Sequence, residues 1–169
     1  LHTTGLAQHG SAGAGHTGGI LGSSFNDGEY DMCMGFADAG TSQLFLSIGR
    51  GGSIRVIRGT FNNTVALATS SPGVVRPNVW HFIEFRALIS DTVGEVDVYV
   101  DGVQVINATV LDTKQTTNAY VTQVYLAPGT LCSTLGVVSN DFLFDDVYIA
   151  EAGTRLGDMG VYSLTPSAD

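Results

Sequence analysis

Apolar and polar positions alternate with a period of two over much of this chain, and no segment keeps a helical period. The clearest stretch runs from Val79 to Asn107, VWHFIEFRALISDTVGEVDVYVDGVQVIN. Between Gly94 and Val100, Val96, Val98 and Val100 fall on one face, and Glu95, Asp97 and Tyr99 on the other. Asp101-Gly102 then separates two β-branched runs. Asp-Gly is a preferred filling for a two-residue type I′ turn, whose central residues both need φ > 0. Val79 to Ile89 reads as a long strand, Asp91 to Gly94 as a turn and Val103 to Ile106 as the returning strand. The pattern predicts an antiparallel meander with a valine-rich face to bury.

The same reading predicts strands from Tyr30 to Phe36, Gln43 to Ile48, Ser53 to Arg58, Thr64 to Thr69, Tyr120 to Leu126, Phe142 to Ala150 and Val161 to Leu164. Turns fall at Arg50-Gly51-Gly52 and Asn62-Asn63, a loop at Ser70 to Pro77, and a polar stretch at Thr113 to Asn118. Leu44, Leu46, Ile48, Ile54, Val56, Val65, Leu67 and Ile83 should point inward with the valines. Many short strands with regular turn signals mean a sandwich or barrel, with helix below about a tenth of the chain against the usual third.

Residues 1–19, LHTTGLAQHGSAGAGHTGG, differ in kind. They are Gly-rich, carry no Asp, Glu, Lys or Arg, and hold too little apolar surface to order themselves. They are expected to form an extended arm that packs on another chain, leaving 20–169 as the globular domain. His2, His9 and His16 recur every seven residues, but the glycines oppose a helix, so the spacing is read as incidental rather than as a metal-binding face.

Composition narrows the function. The formal net charge of −9 argues against nucleic acid as a partner, which would need a basic stripe. No apolar run reaches the roughly 20 residues of a membrane-spanning helix, and no basic region precedes an apolar leader. Cys33 and Cys132 lie far apart; they can pair across two sheets, though two reduced buried thiols are the commoner outcome in a domain of this size.

Three passages resemble the concanavalin A-like lectin/glucanase (LamG-like) jelly rolls, in the version found in tailed-phage virion proteins. LFLSIGRGGSIRVIRG (Leu44 to Gly59) is similar to that family's paired strands around a Gly turn. Trp80 to Glu84, leading to Val96 to Gly102, resembles its Trp-x-x-x-Glu strand and Asp-Gly hairpin. Phe144-Asp145-Asp146-Val147-Tyr148-Ile149 with Leu156-Gly157-Asp158 resembles its closing strand and tail. The resemblance implies a two-sheet antiparallel jelly-roll β-sandwich and a place in a virion; it transfers no catalytic residue.

Candidate chemistry is sparse. Glu95-Val96-Asp97 is like the start of the retaining-glucanase Glu-x-Asp-x-x-Glu strand, but Tyr99 and Val100 stand where the second Glu is needed, so Glu95 and Asp97 read as a solvated polar face. Asp145 and Asp146 lie on opposite, otherwise apolar faces of one strand, so at least one carboxylate needs a partner. Arg86, Arg58 or backbone amides can supply it; a Ca²⁺ site with Asn140 and Asp141 is the alternative. Trp80 reads as core rather than as a sugar-stacking platform, and His81, on the opposite face, is expected to have no catalytic companion nearby. No catalytic, cofactor-binding or metal-binding residue is therefore assigned. The expected role is a non-enzymatic virion structural protein, a capsid decoration, head-fibre or tail-associated sandwich that associates with itself and other virion proteins. A carbohydrate-binding module for host-surface glycans is the alternative, and a glycoside hydrolase ranks last.

Overall fold

The computed structural model describes residues 4–7, 30–49, 51–60, 63–76, 79–130 and 145–151. Among them are ten strands and no helix: β1 (Thr4–Ala7), β2 (Tyr30–Asp38), β3 (Thr41–Gly49), β4 (Ile54–Thr60), β5 (Asn63–Thr69), β6 (Phe82–Leu88), β7 (Gly94–Val100), β8 (Val103–Leu111), β9 (Gln123–Thr130) and β10 (Asp145–Ile149). Sheet A has the order β10-β1-β6-β7-β8 and sheet B the order β5-β4-β3-β2-β9. Every pairing is antiparallel. Each sheet is a meander extended by strands distant in sequence, β1 beside β6 with β10 beyond it, and β9 beside β2. This is an all-β, two-sheet antiparallel sandwich, one of the two architectures the alternation predicts and the one the resemblance implies.

The core lies between the sheets. Val96, Val98, Val100 and Ile83 of sheet A are buried with Leu44, Leu46, Ile48, Ile54 and Val56 of sheet B in one cluster. Phe36 and Phe85 join the sheets in a stacked pair, with ring centroids 4.8 Å apart. Each such aliphatic side chain contributes roughly 1.5 to 3 kcal/mol on burial.

The predicted turn is present. Asp101 and Gly102 have φ of 51° and 82°, as a type I′ hairpin requires. The β2–β3 hairpin turns the same way at Ala39 and Gly40, with φ of 46° and 83°. Thr122 Oγ1 accepts from the Ala39 N–H at 2.8 Å and Gln123 Oε1 from the Gly40 N–H at 3.1 Å, so the start of β9 and the residue before it hold this turn.

Several boundaries differ from expectation. β6 begins at Phe82, not Val79, because the hairpin turn closes the ladder there: Asp101 Oδ1 accepts from the Phe82 N–H at 2.9 Å, and the Asp101 N–H donates to the Phe82 carbonyl at 2.8 Å. Trp80 therefore sits in the approach to the strand, half-buried and outside the core cluster, which corrects its reading as core. Val65 is exposed rather than buried because it lies on β5, the edge strand of sheet B, opposite the partly exposed Arg58. β10 ends at Ile149, one residue short of the expected Ala150, and Phe142 to Phe144 lie outside the described residues.

The arm differs from expectation where it is described, and residues 1–3 and 8–19 lie outside the described residues. Thr4–Ala7 forms β1, paired on one side with Phe82 to Phe85 and on the other with β10. It belongs to its own domain rather than to a neighbour. The physical reason is that β6 and β10 each offer a row of backbone donors and acceptors, and four extended residues satisfy both rows at once. His2, His9, His16, Cys132, Asn140, Asp141 and Val161 to Leu164 lie outside the described residues, and so does any pairing of Cys33 with Cys132.

The predicted polar stretch after β8 is pinned to sheet B by Gln43, which is fully buried in β3. Gln43 Oε1 accepts from the Gln115 and Thr116 N–H groups at 2.6 and 3.1 Å, and its Nε2 donates to Thr116 Oγ1 and the Asn118 carbonyl at 2.9 and 2.8 Å. Asp38 Oδ2 accepts from Thr116 Oγ1 and Asn118 Nδ2 at 2.8 and 2.9 Å. A buried amide left without such partners would cost about 1 to 3 kcal/mol.

Candidate functional site

The outward face of sheet A carries a network of charged and amide side chains centred on Asp97. Alternation along β6, β7 and β8 turns Ile83, Phe85, Val96, Val98 and Ile106 inward, so their neighbours turn out. The register then sets Arg86 opposite Asp97, Asp97 opposite Asn107, Glu84 opposite Tyr99, and Tyr99 opposite Gln104. Gln104 reaches the outward face because a register shift lies between Val98 and Tyr99.

Asp97 is the hub. Its Oδ2 accepts from Arg86 Nη1 at 2.5 Å; its Oδ1 accepts from Asn107 Nδ2 at 2.7 Å and Gln104 Nε2 at 3.0 Å. Arg86 Nη2 also donates to Glu95 Oε2 at 3.2 Å. Asp97 is buried at 7% exposure, while Gln104 and Asn107 are exposed and Arg86, Glu95 and Tyr99 are intermediate. The expectation of a solvated polar face thus needs correcting for Asp97. Its carboxylate leaves water because a guanidinium and two amides replace the lost hydration. The hydrogen bond to Asp97 holds the Arg86 guanidinium above its ordinary range, against the desolvation that opposes it.

Chemically, this arrangement fixes side chains in place: both Asp97 oxygens accept hydrogen bonds, and Glu95 Oε2 accepts from Arg86. Glu84, on the same face, is buried at 1% exposure beside Tyr99.

A second candidate stands at the end of β6. His81 is buried and does have a carboxylate companion, Asp101, with Nδ1···Oδ2 at 2.6 Å. Sequence reading missed this because the partner arrives through the hairpin turn. His81 Nε2 accepts from the Arg76 N–H at 2.9 Å, so the proton sits on Nδ1 and donates to Asp101. With both ring nitrogens engaged, the pair clamps the turn to the preceding loop and has no nitrogen left for a substrate proton.

Asp145 and Asp146 lie on β10, and their side chains are outside the described residues, as is any partner of theirs. Among the described residues, Arg86 pairs with Asp97 and Arg58 with Asp112. Among the described residues no group of three His, Cys, Asp or Glu could hold a metal ion. Sequence reading also missed Gln104 and Asn107. Their one signal was polar residues in a β-branched strand pairing with Asp97, and the register shift hid it.

No family model matches the chain, and no curated protein matches it. In shape it is similar to the Ruminococcus gnavus IT-sialidase CBM40 bound to alpha2,3 sialyllactose, at 14% identity, covering 86% of this chain and 71% of that chain, with a TM-score of 0.40. So loose a likeness transfers neither ligand nor activity.

Proposed function

We propose that this domain is a non-enzymatic binding module that takes glycans on the outward face of sheet A. The observation that carries this reading is the Asp97 network, which holds Arg86, Gln104 and Asn107 in fixed orientations on an open sheet face beside Tyr99. Glycans present rings of hydroxyls that both donate and accept. Planar amides already held in place bind them with less side-chain ordering, and an aromatic ring supplies an apolar contact.

The sequence resemblance to tailed-phage jelly rolls supports a virion as the setting. There the sandwich would be held by copies of itself or by other virion proteins, with sheet A turned toward host-surface glycans. This setting no longer draws on the N-terminal arm, since β1 completes its own sheet.

A glycan array followed by calorimetry tests the proposal. Binding to at least one glycan class is expected, and Asn107→Ala, Gln104→Ala and Tyr99→Ala should each weaken it about tenfold or more while the melting curve stays cooperative. A chain that binds no glycan on the array, or whose binding ignores all three substitutions, would remove sheet A as the site.

A further inference from the structure

The network also bears on which glycans fit. Among the described residues on this face, Arg86 is the one cation, and both its terminal nitrogens are engaged: Nη1 by Asp97 Oδ2 at 2.5 Å and Nη2 by Glu95 Oε2 at 3.2 Å. A sugar carboxylate or phosphate is best held by the two-pronged fork of a guanidinium. Here that fork is already occupied. Withdrawing it would leave the buried Asp97 without its counter-charge.

The groups left facing outward are mainly acceptors. Gln104 and Asn107 each donate through nitrogen to Asp97 Oδ1. That bond fixes the amide plane and leaves the carbonyl oxygen of each without a partner among the described residues. Glu95 uses Oε2 toward Arg86 and keeps its other oxygen. An anion brought to the remaining amide N–H groups would lie over the Asp97 carboxylate behind them. One guanidinium against two carboxylates leaves the cluster net negative, on a chain of net charge −9. Neither Arg58, paired with Asp112, nor Lys114, paired with Asp91 at 2.5 Å, offers an uncommitted cation.

We infer that the sheet A face selects neutral glycans, whose hydroxyls donate to Gln104, Asn107 and Glu95, and excludes glycans bearing carboxylate or phosphate groups. This rests on the glycan-binding reading above and specifies its ligand class. Hydroxyls are donors that an acceptor-rich, negative surface can use, whereas an anionic substituent brings only acceptors and like charge.

The test uses the purified full chain in calorimetric titrations with matched oligosaccharide pairs, each neutral sugar beside its sialylated, uronate-bearing or phosphorylated counterpart, at low and at high salt. Neutral members should bind about tenfold or more tighter than their acidic partners, and added salt should narrow the ratio by screening the repulsion. Equal or tighter binding of the acidic members, still sensitive to Asn107→Ala, would overturn the selectivity and leave sheet A as a glycan site. A salt-independent ratio would overturn its electrostatic cause. If neither member of any pair binds, or if Asn107→Ala changes nothing while the variant melts like the parent chain, the site itself fails and the inference falls with it.

Discussion

On the outward face of sheet A, Arg86 and Asp97 sit opposite each other, with Gln104 and Asn107 exposed at their side. On the outward face of sheet B, Phe45 sits opposite Ile57, and both are buried, with Tyr125 packed on them. Gln43 and Ser47 share that face and are buried as completely. Tyr125 lies over Gly35 so closely that a Cβ there would collide with its hydroxyl and meet the Leu44 carbonyl at 2.8 Å. Both faces are built by the same alternation. One ends as a polar network edged by exposed amides, the other as a second apolar cluster. A strand's period tells which residues share a face; what lies against that face decides whether it reads as surface or as core.

The sharpest way to break this contrast is to truncate one residue on each face. Phe45→Ala should destabilise by about 3 to 5 kcal/mol, the range for emptying a buried aromatic site. Asn107→Ala on sheet A should cost about 1 kcal/mol or less, since it removes one hydrogen bond from an exposed amide. Urea denaturation measures both. Equal costs would mean that the outward face of sheet B is not a second core.

Next in size is the hub of the polar face. Asp97→Asn keeps the shape and removes the charge facing Arg86, and roughly 2 to 3 kcal/mol of stability should go with it, less than for a fully buried pair because Arg86 is partly exposed. Added salt should change this cost little, because the carboxylate is shielded from water. A variant as stable as the parent would make the network an ornament of the surface rather than a fixed platform.

The hairpin turns give a smaller effect on each sheet. Gly102→Val and Gly40→Val each place a β-branched residue at φ near +80°, and each should cost on the order of 1 kcal/mol or more. Unchanged melting temperatures would count against both turns.

These turns also mark how far the sequence could be read. Asp101-Gly102 was legible because both residue types tolerate φ > 0 and β-branched runs flank them. Ala39-Gly40 was not, because alanine carries no such preference and its conformation is held by Thr122 and Gln123, more than eighty positions later. The valine face of β7 was legible from alternation alone. β3 was only half so: Leu44, Leu46 and Ile48 announce the core, but nothing local says that Gln43 and Phe45 are buried too. β1 escaped notice because four residues of Thr-Gly-Leu-Ala have little strand signal of their own. The slot between β6 and β10 defines them. At the site, Asp97 was visible as a residue, but its partners Arg86, Gln104 and Asn107 come from neighbouring strands, where pairing and a register shift decide who meets whom.

The smallest effect separates the two arginine pairs that flank the sandwich. Arg58 of β4 binds Asp112 at the surface, whereas Arg86 of β6 binds Asp97 out of water. The hydrogen bond from Arg58 holds the Asp112 carboxyl below its ordinary value of 3.8, with desolvation opposing. A carboxyl whose folded-state pKa is depressed adds stability above its unfolded value, and that contribution disappears as pH falls through the folded value. Asp112 should therefore contribute at neutral pH and lose its contribution below about pH 4. Because half of the Asp112 side chain is exposed, the contribution should stay under about 1 kcal/mol and shrink as salt is added. Melting curves of the parent chain and Asp112→Asn from neutral pH into the acid range should converge as the carboxyl protonates, and should already lie close together at high salt. Asp97→Asn, by contrast, should keep its deficit at high salt. If the two substitutions respond to salt alike, Asp97 is as solvated as Asp112, and the fixed platform proposed for sheet A loses its physical basis.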